Sequence, residues 1–144
     1  MIGPAHHVGV AVKSLQEALE GYRRLGLVPD FTEEVPSQGV RVAFLRSGAV
    51  RVELLESLRP DGVIARFIER RGEGLHHLAF ACADIRQEMT RLRQGGFELV
   101  DAEPRPGSKG RLVAFVHPRS LHGVLLELVE EPRTRPRSTS ARLG

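Results

Sequence analysis

The sequence has one cysteine and no long apolar run. Cys82 is the single cysteine of the 144-residue chain, which excludes an internal disulfide and a thiolate metal cluster. The apolar runs are far shorter than the roughly 20 residues that a helix needs to cross a membrane. Pro4, His6 and His7 interrupt the N-terminus, where a signal peptide needs an apolar stretch. We therefore expect a cytoplasmic protein with no membrane partner.

The chain also has little excess charge once its C-terminal end is set aside. The formal net charge is +3, and residues 132–144 contain four arginines and no acidic residue. The rest of the chain is close to neutral, which argues against a basic surface for nucleic acid, and we expect no nucleic-acid partner. Residues 132–144 are rich in Pro, Arg, Ser and Thr, a composition typical of a disordered basic tail.

What the sequence does contain is an internal repeat. The doublet His6-His7 recurs as His76-His77, and both doublets lie in short apolar segments typical of strands. Each is followed by an N-capping residue, Ser14 or Asp84, and then by the apolar spacing of an amphipathic helix. Strand patterns follow each helix, at residues 27–35, 40–45 and 50–55 in the first copy and at residues 97–100, 112–116 and 124–130 in the second.

The repeat predicts an α+β fold of two tandem βαβββ modules within one domain, residues 1–131. Module 1 covers about residues 4–58 and module 2 about residues 73–131, with a linker helix at about residues 60–71. Neither module can bury its apolar face alone. Side by side, the two would form a curved mixed sheet around a shared cavity. We expect residues 103–110, which contain two prolines and two glycines, to form a loop.

Alternation along the first strand assigns its residues to two faces. His7, Gly9 and Ala11 share a face of small residues with open space above it. His6 shares the other face with bulky valines, which should pack against a helix. The same alternation places His77 on the small-residue face of the second copy. We therefore expect His7 and His77 to point into the cavity.

The strand that ends each module carries one glutamate, Glu53 or Glu127. With His7 and His77 these glutamates occupy matching positions in the two copies and would converge near a pseudo-two-fold axis. Two imidazoles and two carboxylates suit one divalent ion, which without thiolates could be cobalt, manganese, zinc, nickel or iron. The alternative is that the glutamates are exposed strand ends and the histidines fill gaps under helices. Glu127 argues against it, because its neighbours are apolar and an uncompensated buried carboxylate is costly.

For other polar positions, an exposed turn is an alternative to a functional role. His117 and His122 fall in or near a turn, and we expect them to be exposed to solvent. Gln38 and the segment Ser108-Lys109-Gly110 lie in polar loops near strand starts. A turn and a contact with substrate explain these loops equally well.

Six segments form a combination typical of one known family. They are Ala5-His6-His7-Val8-Gly9-Val10-Ala11-Val12, Glu34-Val35-Pro36-Ser37-Gln38-Gly39-Val40, Val52-Glu53-Leu54-Leu55, Gly72-Glu73-Gly74-Leu75-His76-His77-Leu78-Ala79-Phe80, Glu103-Pro104-Arg105-Pro106-Gly107, and His117-Pro118 followed by Gly123-Val124-Leu125-Leu126-Glu127-Leu128. On these segments residues 6–130 resemble the vicinal oxygen chelate superfamily and, within it, the family of the methylmalonyl-CoA epimerases. The Gly-Leu-His-His, Gln-Gly-Val and Glu-Pro-Arg-Pro-Gly segments are the most specific to the epimerases.

The resemblance implies one divalent metal ion held by His7, Glu53, His77 and Glu127, and a homodimer. It also implies interconversion of the two C2 epimers of methylmalonyl-CoA, a step of propionyl-CoA metabolism. The C2 proton would leave and return on the other face, while the metal chelates the thioester and carboxylate oxygens and stabilises the enediolate. Glu127 is the candidate for one base. Some relatives have a second glutamate where this chain has Val42, so the second base could be Glu53, another group or a metal-bound water.

Two other interpretations share this fold. The chain could be a glyoxalase-like lyase or a ring-cleaving dioxygenase, although an iron dioxygenase would use two histidines and one carboxylate, and Glu53 adds a second carboxylate. It could instead be an antibiotic-binding protein that needs no metal, a class that generally lacks this ligand set.

Overall fold

The structure, a computed structural model, describes residues 1–132. These residues form one eight-stranded sheet and three α-helices. The strands are β1 (Ala5–Ala11), β2 (Val28–Val35), β3 (Val40–Ser47), β4 (Val50–Ser57), β5 (Gly74–Cys82), β6 (Arg105–Pro106), β7 (Leu112–Val116) and β8 (Leu126–Glu130). The helices are α1 (Leu15–Arg24), α2 (Val63–Arg71) and α3 (Ile85–Gln94). We predict disorder for the tail, residues 132–144, and all of these residues after Pro132 lie outside the part of the chain that the structure describes.

The sheet joins two βαβββ modules edge to edge and confirms the predicted fold class. The strand order is β2-β3-β4-β1-β5-β8-β7-β6. Within the modules β1 pairs parallel with β4, and β5 pairs parallel with β8. The modules meet at the centre, where β1 and β5 run antiparallel. This mixed sheet curls into a half-barrel with a concave face.

The first and third helices begin where the sequence predicts. The Ser14 side chain accepts a hydrogen bond from the backbone N–H of Glu17 at 3.2 Å, and Asp84 accepts one from Gln87 at 3.1 Å. Each such cap contributes about 1 kcal/mol to helix stability. Gly26 follows α1 with a φ of +100°, the backbone conformation that allows the chain to turn away.

Apolar clusters on the convex face hold α1 and α3 against the sheet. The cluster under α1 contains Val10, Val12, Leu15, Ala43, Leu45 and Leu54, and the cluster under α3 contains Cys82, Ile85, Met89, Leu92, Ala114, Val116 and Leu128. Cys82 is thus buried among apolar side chains. None of the helices in residues 1–132 is long and apolar enough to cross a membrane.

The edge of module 2 differs from the prediction. We expected a strand at residues 97–100, but Leu99 makes only an isolated bridge with Val116, and the edge strand is β6, inside the predicted loop. The carboxylate of Asp101 explains the difference. Its Oδ2 accepts the backbone N–H of Phe115 at 2.8 Å, in place of a strand carbonyl, and ends the ladder there.

Two β-bulges interrupt the pairing of β1 with β5. The first makes His6 an extra residue of β1, and the second makes His76 an extra residue of β5. A bulge breaks the regular alternation and re-aims the side chain of the extra residue. Our expectation that His6 packs among the valines under a helix was therefore wrong, because its ring contacts His7 and Glu131.

Candidate metal centre

The four central strands of the sheet each contribute one polar side chain to the concave face. They are His7 from β1, Glu53 from β4, His77 from β5 and Glu127 from β8, all buried. The parallel pairings bring each glutamate alongside the histidine strand of its own module, and the β1–β5 pairing brings the two modules together. The repeat thus places two imidazoles and two carboxylates around one point.

The distances between the four donor atoms match the edges of a coordination polyhedron. The two Nε2 atoms of His7 and His77 lie 2.9 Å apart, and each lies 2.9–3.6 Å from an oxygen of Glu53 and of Glu127. One atom from each residue can be chosen so that all four lie within 4.8 Å of one another. At metal–ligand distances of about 2.1 Å, neighbouring ligands are separated by about 3.0 Å in an octahedron and 3.4 Å in a tetrahedron. The residues therefore fit a single divalent ion.

The electrostatics of the site favour a cation. Burial lowers the pKa of His77, but the carboxylates of Glu127 and Glu53 outweigh burial and raise it to about 10. The pKa of His7 is also raised, because hydrogen bonds to the same two carboxylates outweigh its burial. Conversely, the two histidines hold the pKa values of Glu53 and Glu127 below their usual range despite burial. Two ionised carboxylates thus lie in a buried site that draws in protons or a metal ion.

Matching aromatic rings support the two histidines. The ring of Phe44 lies edge-on to His7 with centroids 5.2 Å apart, and that of Phe115 lies edge-on to His77 at 5.8 Å. Each phenylalanine is also the cross-strand partner of the glutamate of its module. These apolar rings pack against the imidazoles and help to hold them in place.

Gly9 leaves the space that the His77 ring occupies. A Cβ atom on Gly9 would lie 2.1 Å from Cε1 of His77 and 2.6 Å from its Nε2. Any side chain at position 9 would therefore push the His77 ring out of the site. The small-residue face that the sequence indicates is a packing requirement of the site.

A cavity of about 310 Å³ opens above His7, Glu53 and Glu127, and Gln38, Ser108 and Lys109 also line it. Gly110 of the same predicted loop does not line this cavity, and His77 lines a separate groove beside α2 and β5 instead. His117 and His122 lie elsewhere, half-buried and exposed, in the turn between β7 and β8.

Two loops from opposite modules meet at the mouth of this cavity. The Ser37 hydroxyl donates a hydrogen bond to the carbonyl of Pro106 at 2.6 Å, and the backbone N–H of Lys109 donates to Glu33 at 3.0 Å. The ammonium of Lys109 lies 4.1 Å from the centroid of the Phe31 ring. These contacts join the modules on the side opposite the central strands.

Sequence reasoning missed two arginines near the cavity. Arg51 and Arg111 line it and surround the carboxylate of Glu131, which lies 2.9 Å from His6. Arginines are frequent in this chain, and no spacing in the sequence distinguishes these two.

The position of the second glutamate of some relatives is apolar here. Val42 lies on β3 two residues before Phe44, and it is fully buried in a cluster with Ala11, Leu55 and other apolar side chains. This position offers no proton acceptor.

Comparisons with known proteins agree with the geometry. The sequence profile of the Glyoxalase/Bleomycin resistance protein/Dioxygenase superfamily matches residues 6–115. The chain is 41% identical to the uncharacterized protein YqjC of Bacillus subtilis, over 86% of this chain and 89% of that protein. It is 35% identical to the ethylmalonyl-CoA/methylmalonyl-CoA epimerase of Cereibacter sphaeroides, over 89% of this chain and 98% of that protein.

A solved structure is also similar to this chain. A variant of methylmalonyl-CoA epimerase from Streptomyces coelicolor, in complex with 2-nitronate-propionyl-CoA, superimposes with a TM-score of 0.88 at 35% identity, covering 94% of this chain and 99% of that one. The chain therefore belongs to the glyoxalase/bleomycin resistance protein/dioxygenase superfamily and, within it, to the family of the methylmalonyl-CoA epimerases.

Proposed function

We propose that this protein is a metal-dependent epimerase that interconverts (2R)- and (2S)-methylmalonyl-CoA. The observation that carries the proposal is the buried set of two histidines and two glutamates, in a chain whose relatives include methylmalonyl-CoA epimerases. A protein that only binds an apolar drug would gain nothing from two ionised carboxylates buried in its cavity, because each costs desolvation energy without a cation.

His7, Glu53, His77 and Glu127 would hold the ion. When bound, a divalent ion supplies a Lewis acid for the negative charge that develops on the thioester oxygen as the C2 proton leaves. The protein supplies the rest of the environment. Phe44 and the cluster around Val42 exclude water from one side of the cavity, which strengthens every charge interaction within it.

Glu127 is our candidate for the residue that removes the C2 proton. Its carboxylate lies against the cavity, and the histidines hold its pKa below the usual range, so that it is ionised at neutral pH, as a general base must be. Epimerisation also needs a proton donor on the opposite face of C2. Val42 cannot serve, and Glu53 is the other carboxylate of the donor set.

Gln38, Ser108 and Lys109 are the proposed contacts of the acyl-CoA substrate. All three line the cavity beside the metal ligands. Gly110 belongs to the same turn but does not line the cavity, so we assign it only a structural part in placing Ser108 and Lys109.

We also propose that two copies of the chain form a homodimer. Four exposed apolar side chains surround a second groove of about 620 Å³, on the side of α2 and β5. They are Val63, Leu75, Leu78 and Val124. Light scattering should give twice the chain mass of 15.9 kDa, and a mass of one chain would contradict the dimer.

One experiment tests the activity. Single-epimer methylmalonyl-CoA is incubated with the protein in deuterium oxide, with and without a chelator, and racemisation and deuterium at C2 are measured. We expect both to occur and to stop when the chelator removes the metal. Activity that a chelator leaves unchanged, in protein verified to be metal-free, contradicts the metal-dependent reaction.

The variant Glu127→Gln tests the base, and Glu53→Gln measures the effect of losing the other metal-binding carboxylate. Both keep an oxygen ligand in the site. We expect Glu127→Gln to lower deuterium incorporation about 10²- to 10⁴-fold, the usual effect of losing a general base. The metal content of both variants is measured alongside. Unchanged exchange in metal-loaded Glu127→Gln would exclude Glu127 as the base.

A further inference from the structure

Each histidine of the proposed metal-binding set contacts the neighbouring histidine of its own doublet. Nδ1 of His6 lies 2.7 Å from Nδ1 of His7, and Nδ1 of His76 lies 2.8 Å from Nδ1 of His77. Neighbouring residues of a regular strand point to opposite faces, so the contacts depend on the two β-bulges that re-aim His6 and His76. The same contact between neighbouring histidines thus occurs in both modules.

We propose that His6 and His76 are positioning residues that fix the tautomer and the ring orientation of His7 and His77 for metal binding. This inference rests on the metal site proposed above. A neutral imidazole that binds a metal through Nε2 carries its proton on Nδ1. Nδ1 of His7 then donates a hydrogen bond, and Nδ1 of His6 must accept it.

The same reasoning assigns the protons of the outer pair. Since Nδ1 of His6 accepts, the proton of His6 is on Nε2, which lies 2.9 Å from Oε1 of Glu131 and donates to it. Nη1 of Arg51 and Nη1 of Arg111 lie 3.2 Å and 3.4 Å from the same nitrogen and would favour the opposite tautomer, but the carboxylate contact is shorter. Glu131 is held in turn by Arg111 at 3.2 Å.

The order Glu131, His6, His7 strengthens the metal donor. A carboxylate at the outer end of a hydrogen-bonded chain makes the inner imidazole more basic and fixes its orientation. In module 2 the ring of His76 is instead held edge-on by Phe67, with centroids 4.9 Å apart. We therefore expect the carboxylate-linked His6 to matter for donor strength and His76 mainly for orientation.

Tautomers can be read directly by NMR. Long-range ¹H–¹⁵N correlation spectra are recorded on the zinc-loaded wild-type protein with ¹⁵N-labelled histidine. We expect His7 and His77 to carry their proton on Nδ1, and His6 and His76 to carry theirs on Nε2. A proton on Nδ1 of His6 or His76 overturns the proposal, and this measurement needs no variant to fold.

Two substitutions separate hydrogen bonding from space filling. His6→Leu removes the acceptor, and His6→Asn restores one, because Oδ1 of asparagine is bonded to Cγ as Nδ1 of histidine is. We expect the zinc affinity, measured by competition with a chromophoric chelator, to fall about 10- to 100-fold in His6→Leu. His6→Asn should recover most of that loss. The exposed His122→Asn is the control and should bind as the wild type does.

The outcomes distinguish this inference from the proposed function. Wild-type affinity in His6→Leu, or an equal loss in His6→Leu and His6→Asn, overturns the positioning role, as does a wild-type protein that binds no metal. A protein that shows the expected tautomers and affinities but does not racemise methylmalonyl-CoA contradicts only the proposed activity.

Discussion

The affinity of the site for a metal should rise steeply with pH. In the metal-free protein the carboxylates of Glu127 and Glu53 raise the pKa of His77 to about 10, against an ordinary value of 6.5. A metal ion needs the unprotonated Nε2, so it must displace that proton. Between pH 7 and a pKa of about 10, each pH unit therefore changes the apparent affinity about tenfold, or about 1.4 kcal/mol.

The size of the change in apparent affinity distinguishes this site from a metal site with ordinary histidines. From pH 7 to pH 9 we expect the apparent affinity to rise at least about 100-fold, and the raised pKa of His7 adds to this rise. A histidine with a pKa of 6.5 would be almost fully unprotonated at pH 7, and its affinity would be nearly constant over the same range. Zinc titrations in competition with a chelator of known pH dependence, at pH 7, 8 and 9, measure the slope. A constant affinity refutes the reasoning.

The stability of the metal-free protein should change with pH in the opposite direction and fall as the pH rises. The folded-state pKa of His77 lies above its unfolded value, so its proton stabilises the fold fully below pH 6.5, and this stability is lost as the pH rises toward about 10. Denaturant unfolding of metal-free protein at pH 6.5 and pH 9 checks the direction.

Three further perturbations test other parts of the account. His77→Ala should abolish metal binding and activity, and full activity in a metal-free variant would contradict the mechanism. It should also lower the free energy of unfolding of the metal-free protein by about 3–5 kcal/mol, because it leaves two buried carboxylates with His7 alone as their partner. Gly9→Ala should weaken zinc affinity by at least about 10-fold because its Cβ displaces the His77 ring, whereas the control Gly21→Ala, in a helix with open space around it, should bind zinc normally. Truncation after Pro132 should leave turnover unchanged in the steady-state assay, and a large loss would show that the C-terminal residues take part.

Much of the fold follows from the repeat in the sequence. Ser14 and Asp84 mark equivalent helix starts, and the offset of His6-His7 and His76-His77 places one strand of each module at the centre of the sheet. Small residues beside His7 and His77 indicate which face is open. For that reason the convergence of the four polar residues can be predicted from the sequence.

The bulges were not predictable, because alternation is a property of regular strands. An extra residue in β1 or β5 leaves no trace in a pattern of apolar and polar residues, and so His6 was assigned to the wrong face. The prediction of the edge strand of module 2 was wrong for a related reason. The ladder ends where the side chain of Asp101 takes a backbone N–H, and a loop residue that replaces a strand carbonyl is not visible in the sequence.

The most direct test of the account is the coordination of the bound metal. The wild-type protein is loaded with zinc, its stoichiometry is measured by elemental analysis, and the metal environment is read by X-ray absorption. We predict one ion per chain, with only nitrogen and oxygen neighbours at about 2.1 Å, two of them from imidazoles, and loss of the ion in His77→Ala. No bound ion, a sulfur neighbour, or fewer than two imidazoles would contradict the site built by His7, Glu53, His77 and Glu127.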